Sequence, residues 1–338
     1  MPDRPTLKTI GQIAGLSHVA VSKALRDAPD ISAATKERVR KIADELGYTP
    51  NVAARNLYLR RSSAIGMVVP AMGDSTAYDL VFNEVSAAAA AQDFCVMLGS
   101  SHRNTRLEAR HCAMMVGNQV GAVIVAPCTS DVSHIKAACG PTPAIFIGGK
   151  TDPEERYVLW CDYRRSGALA VEHLAGLGHR DIALLTYGPS NRTVSQKEEG
   201  FAQAMERRGL TPRMIRTGDA ADAMQAGRDA VEALLSGGPP PTALWCASDY
   251  MALGAMDALR RRGLSIPGDV SVMGHDDLFF GRYPDVGLTT LHTPMAEMGR
   301  AAAELAIALI QDDGREIRPR QIFRPSLVVR GSTGLARA

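Results

Sequence analysis

Apolar residues follow two regimes along the chain: helical spacing over the first 61 residues, then short apolar runs alternating with amphipathic stretches. In the first regime Leu7, Ile10 and Ala14 stand at i, i+3 and i+7, one face of a short helix. Gly15 breaks that helix, as a tight helix–helix turn requires. Ser17 offers an N-cap oxygen to a second helix, from His18 to about Arg26. There Val21 and Leu25 point one way, while His18, Val19, Ser22, Lys23 and Arg26 form a stripe on the other side. Ser32 caps a third helix with the stripe Val39, Ile42, Ala43 and Leu46, and Gly47 stands where its C-terminus wants a left-handed residue. Residues 52–61 have helical composition but are too few to be stable alone.

From residue 64 onward the pattern changes. Strands are expected at Ile65–Val69, Phe94–Leu98, Ala122–Ala126, Ala144–Ile147 and Tyr157–Cys161. A second series follows at Ile182–Thr186, Met214–Arg216, Ala243–Cys246, Val270–Met273 and Leu288–Thr290. Helices are expected between them, at Ala77–Ala91, Arg106–Val116, Ser166–Leu177, Glu198–Arg208, Ala221–Leu235, Tyr250–Arg262 and Ala296–Ile310. Short apolar strands separated by helices predict parallel sheets covered on both faces. Two such series predict two doubly wound subdomains, with a cleft at the carboxyl ends of their strands.

Charge and composition sharpen this picture. At 338 residues the chain is long enough for one small and two medium domains. The net charge of +2 hides an asymmetry: residues 1–61 carry 11 Lys/Arg against 6 Asp/Glu, the remainder 27 against 30. The positive excess lies in the trihelical head, where phosphate would be met. Its outward stripe of a hydroxyl, an imidazole and two cations suits base edges and phosphates in a major groove. The N-terminal Met-Pro-Asp-Arg-Pro-Thr lacks an apolar signal core, and no apolar run approaches membrane length. The cysteines at 95, 112, 128, 139, 161 and 246 show no CxxC or metal-type spacing, and are expected to be reduced, mostly buried thiols of a cytoplasmic protein.

Enzyme motifs are missing. There is no Walker A loop, no GxGxxG after a strand, no GxSxG elbow and no HExxH, so no catalytic residue, cofactor or metal is expected. His179-Arg180-Asp181 is only superficially like a kinase catalytic loop and is expected to begin a strand. Asp276-Asp277 is expected to combine a ligand-binding carboxylate with a structural capper.

Ala14-Gly-Leu-Ser17, Val21-Ser-Lys-Ala-Leu25, Thr35 to Val39, Glu45-Leu-Gly-Tyr48, Pro50-Asn51 and Leu57 stand in a fixed register. Together they closely resemble the lactose-repressor/galactose-repressor (LacI/GalR) family of bacterial transcription regulators. Looser landmarks continue to the end: Gly178-His179, Gly200-Phe201, Ala252-Leu-Gly-Ala255, Gly274-His-Asp-Asp277, Met298-Gly299 and Arg324 to Ser332. The resemblance implies a helix-turn-helix domain over 1–49 and a hinge over 50–62, then a periplasmic-binding-protein type I core. In that core one subdomain comprises 63–163 plus 292–323 and the other 164–291 plus 324–338, with crossings near Tyr163, Leu291 and Phe323.

What the resemblance implies for function is ligand-controlled repression by a homodimer on a pseudo-palindromic operator in double-stranded DNA. His18, Val19 and Lys23 become candidates for base readout, and Thr6, Ser17, Ser22 and Arg26 for phosphate contact or register. In the hinge, Asn51 and Arg55 join the DNA-binding set, and Leu57 would wedge between the central base steps. A sugar-like effector would sit between the subdomains against Ser75, Tyr78, Lys197, Ser248 and Asp276. Several positions depart from the family. Ala20 replaces a usual threonine, Lys23 and Lys197 usual arginines, Ser248 a usual asparagine, and Gly148 a common aspartate. Gly11, where alanine is usual, is expected to weaken the first helix by roughly 1 kcal/mol. No heptad follows Arg330, so a dimer through the body is expected without an appended coiled coil. The rival is a solute-binding or sugar-metabolising α/β protein with no DNA role, which would need a signal peptide or a catalytic constellation.

Overall fold

The computed structural model describes residues 5–48, 62–72, 76–149, 151–188, 192–217 and 222–337. Asn51, Arg55, Leu57 and Ser75 therefore lie outside the described residues. The chain divides into two compact units, Met1–Arg60 and Arg61–Ala338.

The small unit contains α1 (Leu7–Ala14), α2 (His18–Leu25) and α3 (Ala33–Glu45). Each helix begins at a hydroxyl cap: Thr6 accepts from the Thr9 N–H, Ser17 from Ala20 and Ser32 from Thr35. Gly15 ends α1 at a φ of 65°. Ile10, Ala14, Val21, Ala24, Val39 and Ala43 form the buried centre, with Leu7, Leu16, Leu25, Ile42 and Leu46 packed around it. Gly11 corrects an expectation. It is buried, and a Cβ there would meet the Leu16 carbonyl oxygen at 2.6 Å. The residue lets the turn fold back onto α1, so alanine would clash here rather than strengthen the helix.

The large unit begins with β1 (Ala64–Val69), α4 (Thr76–Ala90), β2 (Cys95–Ser100), α5 (Thr105–Gly117), β3 (Ala122–Val125), α6 (Ser133–Cys139), β4 (Ala144–Ile147) and β5 (Val158–Cys161). It continues with α7 (Tyr163–Gly176), β6 (Ile182–Tyr187), α8 (Arg192–Arg207), β7 (Arg213–Thr217), α9 (Ala223–Ser236), β8 (Ala243–Cys246), α10 (Asp249–Arg261) and β9 (Ser271–Met273). The last elements are β10 (Thr290–His292), α11 (Met295–Gln311), β11 (Arg320–Phe323) and β12 (Ser326–Val328).

Two parallel sheets result. The first has the order β11-β5-β4-β3-β1-β2 and the second β7-β6-β8-β9, while β10 and β12 form an antiparallel ribbon. Bridges Met273–Thr289 and Asp276–His292 join that ribbon to the second sheet. β11 pairs with β5 in the first sheet, so the chain returns to the first subdomain after β10 and leaves it again after Phe323. The expected Leu288–Thr290 strand lies two residues later, at Thr290–His292, because Thr289 already makes the bridge to Met273.

Helices of the second subdomain cross at glycines. A Cβ on Gly200 of α8 would overlap the Arg164 carbonyl of α7, and one on Gly254 of α10 would overlap the Met224 carbonyl of α9. The α4–α11 crossing of the first subdomain is looser: a Cβ on Gly299 would lie 2.8 Å from the Val81 carbonyl oxygen. Close backbone approach brings Phe201 and Trp245 together at full burial, with ring centroids 6.0 Å apart. Each such aromatic contributes about 1.5–3 kcal/mol by burial.

The segment after β12 closes the second sheet. The Val272 N–H donates to the Ser332 carbonyl at 2.8 Å, and the Ser332 hydroxyl donates back to the Val272 carbonyl at 2.6 Å. His179, just ahead of β6 as expected, is 98% buried and bridges Thr242, Ser271 and the Gly334 carbonyl at 3.0, 3.0 and 3.1 Å.

Candidate functional site

In the small unit, the side chains chosen from the outward stripe share one face of α2. His18 and Arg26 are exposed, Ser22 and Lys23 are half-buried, and Val19 retains 52% of its surface. Ser17 and Thr6 spend their hydroxyls on capping α2 and α1, which fixes the register of the helices. Arg26 folds its Nε onto the Ser22 carbonyl at 3.1 Å. The Lys23 ammonium is paired with the Asp30 carboxylate, and that hydrogen bond holds Asp30 below the usual carboxylate range. Asp30 was not foreseen as part of this face. Lys36 and Arg40 converge on Asp27 at 3.2 and 3.0 Å, and Arg38 donates to the Ala14 carbonyl, tying α3 to the end of α1.

In the large unit, strand order reverses at β1 in the first sheet and at β6 in the second. Loops leaving the strand ends at such points diverge and open a crevice. Four of the five expected cleft residues are described, and all follow strand ends: Tyr78 after β1, Lys197 after β6, Ser248 after β8 and Asp276 after β9. Tyr78 is half-buried, and its phenol is pushed up to about 12 by desolvation, opposed by Arg103 and reinforced by Asp276. Tyr78 stands in the first subdomain and Asp276 in the second. Gly149, two residues after β4, allows a close approach: a Cβ there would meet the Tyr163 ring at 2.5 Å and the Thr193 hydroxyl at 2.9 Å.

Lys197 is 94% buried on α8, with Nζ donating to the Ala247 carbonyl at 2.8 Å and standing 5.3 Å from the Tyr163 ring centre. Burial lowers its pKa, with Asp276 opposing. Ser248 caps α10 through the Met251 N–H and bonds the Tyr187 hydroxyl at 2.8 Å. Tyr187 is itself pushed up to about 12 by burial.

The aspartate pair separates into two roles. Asp277 is a clamp, holding Arg330 at 2.6 Å, His292 at 3.3 Å and Arg282 at 3.5 Å. Asp276 keeps a quarter of its side chain exposed and takes His275 Nδ1 at 2.8 Å. Burial raises the Asp276 pKa, but His275 and Lys197 outweigh it and hold the carboxyl below its ordinary value. Both aspartates have positive φ, 111° and 59°, a conformation that costs non-glycine residues about 1–3 kcal/mol and concentrates at functional sites.

Sequence reasoning missed Tyr163, Tyr187, Arg103, His275 and Asp249. Asp249 is fully buried and accepts from the Leu278 N–H and the Thr290 hydroxyl, both at 2.6 Å; burial pushes its carboxyl up to about 7. Ser166, His275 and Asp276 follow one another as in an acyl-transfer triad, at 3.1 and 2.8 Å. Ser166 is fully buried within α7, however, so no acyl group can reach its oxygen. Among the described residues, no group of three or more His, Cys, Asp or Glu side chains could hold a metal ion. None of the described helices is long and apolar enough to cross a membrane.

Comparison with known proteins falls on the same two regions. Residues 6–51 match the profile of bacterial regulatory proteins of the lacI family, and residues 171–333 that of the periplasmic binding protein-like domain. The chain is 27% identical to the HTH-type transcriptional repressor PurR of Pasteurella multocida (strain Pm70), covering 97% of this chain and 98% of that protein. It is 29% identical to the HTH-type transcriptional repressor CytR of Escherichia coli (strain K12), covering 97% and 96%. Among solved structures it is similar to the lac repressor dimer bound to operator and the anti-inducer ONPF, with a TM-score of 0.88 at 26% identity, covering 98% of this chain and all of that one. A complex of the transcriptional regulator CelR with cellobiose is also similar, with a TM-score of 0.71 at 26% identity and coverage of 97% and 100%.

Proposed function

This chain belongs to the LacI family of bacterial regulatory proteins, and from that premise we propose how it acts. It is a DNA-binding transcriptional repressor under small-molecule control. Two heads meet a pseudo-palindromic operator, with His18, Val19 and Lys23 of each α2 toward base edges and Ser22 and Arg26 toward phosphates. Lysine presents a point charge rather than a planar fork, so the operator differs from those read by arginine at this position. Pro50-Asn51, Arg55 and Leu57, outside the described residues, supply the hinge contacts to DNA, with Leu57 as the wedge.

The effector binds between the subdomains of the body and releases the operator. Its donors meet Asp276, and its acceptors meet Lys197, Ser248 and the tyrosine hydroxyls, a set that suits a sugar or sugar derivative. The observation that supports this reading is that Tyr78, Lys197, Ser248 and Asp276 all follow strand ends, Tyr78 in the first subdomain and the other three in the second. Control requires that the effector prefer one body conformation; tight binding alone shifts nothing. The protein acts by binding and not by turnover, as its repressor relatives suggest.

Selection of bound sites from a random duplex library, at a stated physiological salt, tests the reading. The expected result is a palindromic consensus with a fixed central step, which then serves as the probe for release by candidate sugars. Salt-sensitive binding with no consensus would reduce the head to a basic patch.

A further inference from the structure

The cleft carboxylate Asp276 lies beside a histidine whose position is fixed from several directions. His275 has no exposed surface. Its Nδ1 lies 2.8 Å from Asp276 Oδ1, and its Nε2 lies 3.1 Å from the Ser166 hydroxyl on α7. An ionised carboxylate only accepts hydrogen bonds, so the Nδ1 position must carry the proton. Nε2 is then an acceptor, and the Ser166 hydroxyl must donate to it. The tautomer is thereby set by the protein and not by solvent.

Other groups around the ring act in the same direction. Lys197 faces it from α8, and the Tyr163 ring packs at 5.8 Å from α7. The Asp249 N–H at the start of α10 donates to the His275 carbonyl at 2.8 Å. Burial and the Lys197 charge both lower the His275 pKa, opposed by Asp276, so the ring stays neutral around pH 7. Asp276 Oδ1 is thus occupied, with Thr293 Oγ1 more distant at 3.5 Å, and the second oxygen has no partner among the described residues. The strained φ of 111° at Asp276 fits a side chain aimed by its surroundings rather than by local preference.

We propose that His275, anchored by Ser166, is a positioning residue that presents Asp276 to the cleft as an ionised carboxylate with one free oxygen. This deepens the effector-cleft reading and rests on it. The carboxylate so presented selects effectors that donate, through a hydroxyl or an amine, and disfavours a carboxylate or phosphate at that point.

The test uses the full-length protein and needs no effector. Long-range proton–nitrogen NMR of protein labelled at histidine nitrogen should show His275 as one neutral tautomer protonated at Nδ1, assigned by its loss in His275→Asn. Carbon NMR of labelled aspartates follows the Asp276 carboxyl. His275→Phe removes the donor and should raise the proton affinity of Asp276 at least tenfold, one pH unit in its titration. His275→Asn returns an N–H near the Nδ1 position and should recover part of that shift. Ser166→Ala should let a fraction of the Nε2 tautomer appear and raise the Asp276 titration in proportion to that fraction, by less than His275→Phe does. A proton on Nε2 in the wild type, an imidazolium at pH 7, or an unchanged Asp276 titration in His275→Phe would overturn the proposal. If the titrations behave as expected but Asp276→Asn still releases operator with the same sugars as the wild type, the effector reading fails and the positioning role stands.

Discussion

The first subdomain of the body is lined by Ile65, Met67, Val69, Ile124, Ile145, Ile147 and Leu159 on one side of its sheet and by Val68, Val123, Val125, Phe146 and Val158 on the other. In the second, the same layers are interrupted by buried polar side chains: His179 and Ser271 under one edge, Asp249 and Thr290 beside β9, and Ser166 and His275 behind the cleft. The first subdomain has few of these among its described residues, chiefly Glu108, held by His134 and the Cys128 N–H at 2.8 and 3.0 Å. Apolar burial is strong but non-directional, whereas a buried hydrogen bond is costly to leave unmade and fixes direction. The first subdomain therefore contributes mainly stability, and the second contributes geometry. Protons and ligands can act most readily on the second.

Steric substitution should break this contrast most severely. Gly254→Ala drives a methyl into the Met224 carbonyl and should destabilise the second subdomain by about 3 kcal/mol or more. Hydrogen exchange read by mass spectrometry should rise across residues 182–273 and stay low across 64–161. An equal rise in both would mean the subdomains unfold as one unit.

Next in size is Asp249. Asp249→Ala strands the Leu278 N–H and should cost about 2–3 kcal/mol. Asp249→Asn keeps an acceptor but removes the charge, and its effect depends on pH. The native carboxyl is raised from 3.8 to about 7, so the folded protein retains a proton that the unfolded chain releases in that window. Stability contributed by this proton is full below about pH 4 and lost as pH rises towards 7. Asparagine avoids that loss, so the variant should gain on wild type by roughly 2–4 kcal/mol between about pH 4 and 7, read from guanidinium unfolding. A constant difference would show that Asp249 titrates normally.

His179→Ala should be milder, about 2 kcal/mol, because Thr242 already bonds the Asp181 carbonyl and the Ser271 hydroxyl already lies 3.5 Å from the Gly334 carbonyl, so each group the ring leaves has a partner at hand. Its signature is local: protease should trim residues 329–337 in the variant before any other site is cut. Glu108→Gln in the first subdomain should be smallest, about 1 kcal/mol, since the amide keeps an oxygen for the Cys128 N–H. A loss by thermal unfolding as large as that of Asp249→Ala would erase the contrast.

How much of this was legible follows the same division. Periodicity found the three helices of the head, the caps of the second and third and nearly every core strand, because apolar stripes and hydroxyl caps are local signals; the Thr6 cap of the first helix went unread. It missed β11 and β12, whose residues are mostly half-exposed or exposed and so lack an apolar run. It missed α6, seven residues long and without a side-chain cap. Glycines at 200 and 254 were visible as landmarks, but the helix crossings that require them were not. At the cleft, the residue types at 78, 197, 248 and 276 could be chosen in advance. The left-handed backbone at Asp276 and Asp277 could not, since local preference puts glycine there. Ser166 and His275 meet across 109 positions, which no spacing rule reaches.

The late return of the chain has a consequence for the order of synthesis. β11 completes the first sheet and Ser332 to Ala336 fasten the second, so neither subdomain can close until about residue 320 or beyond has left the ribosome. The head uses contacts within residues 5–48 and is free to fold long before. At roughly 5–20 residues per second, the interval is about 15–60 seconds. During it a nascent chain carries a DNA-reading head with an unfinished body, unable to pair or to sense ligand. A message broken late in its coding region would release that form permanently.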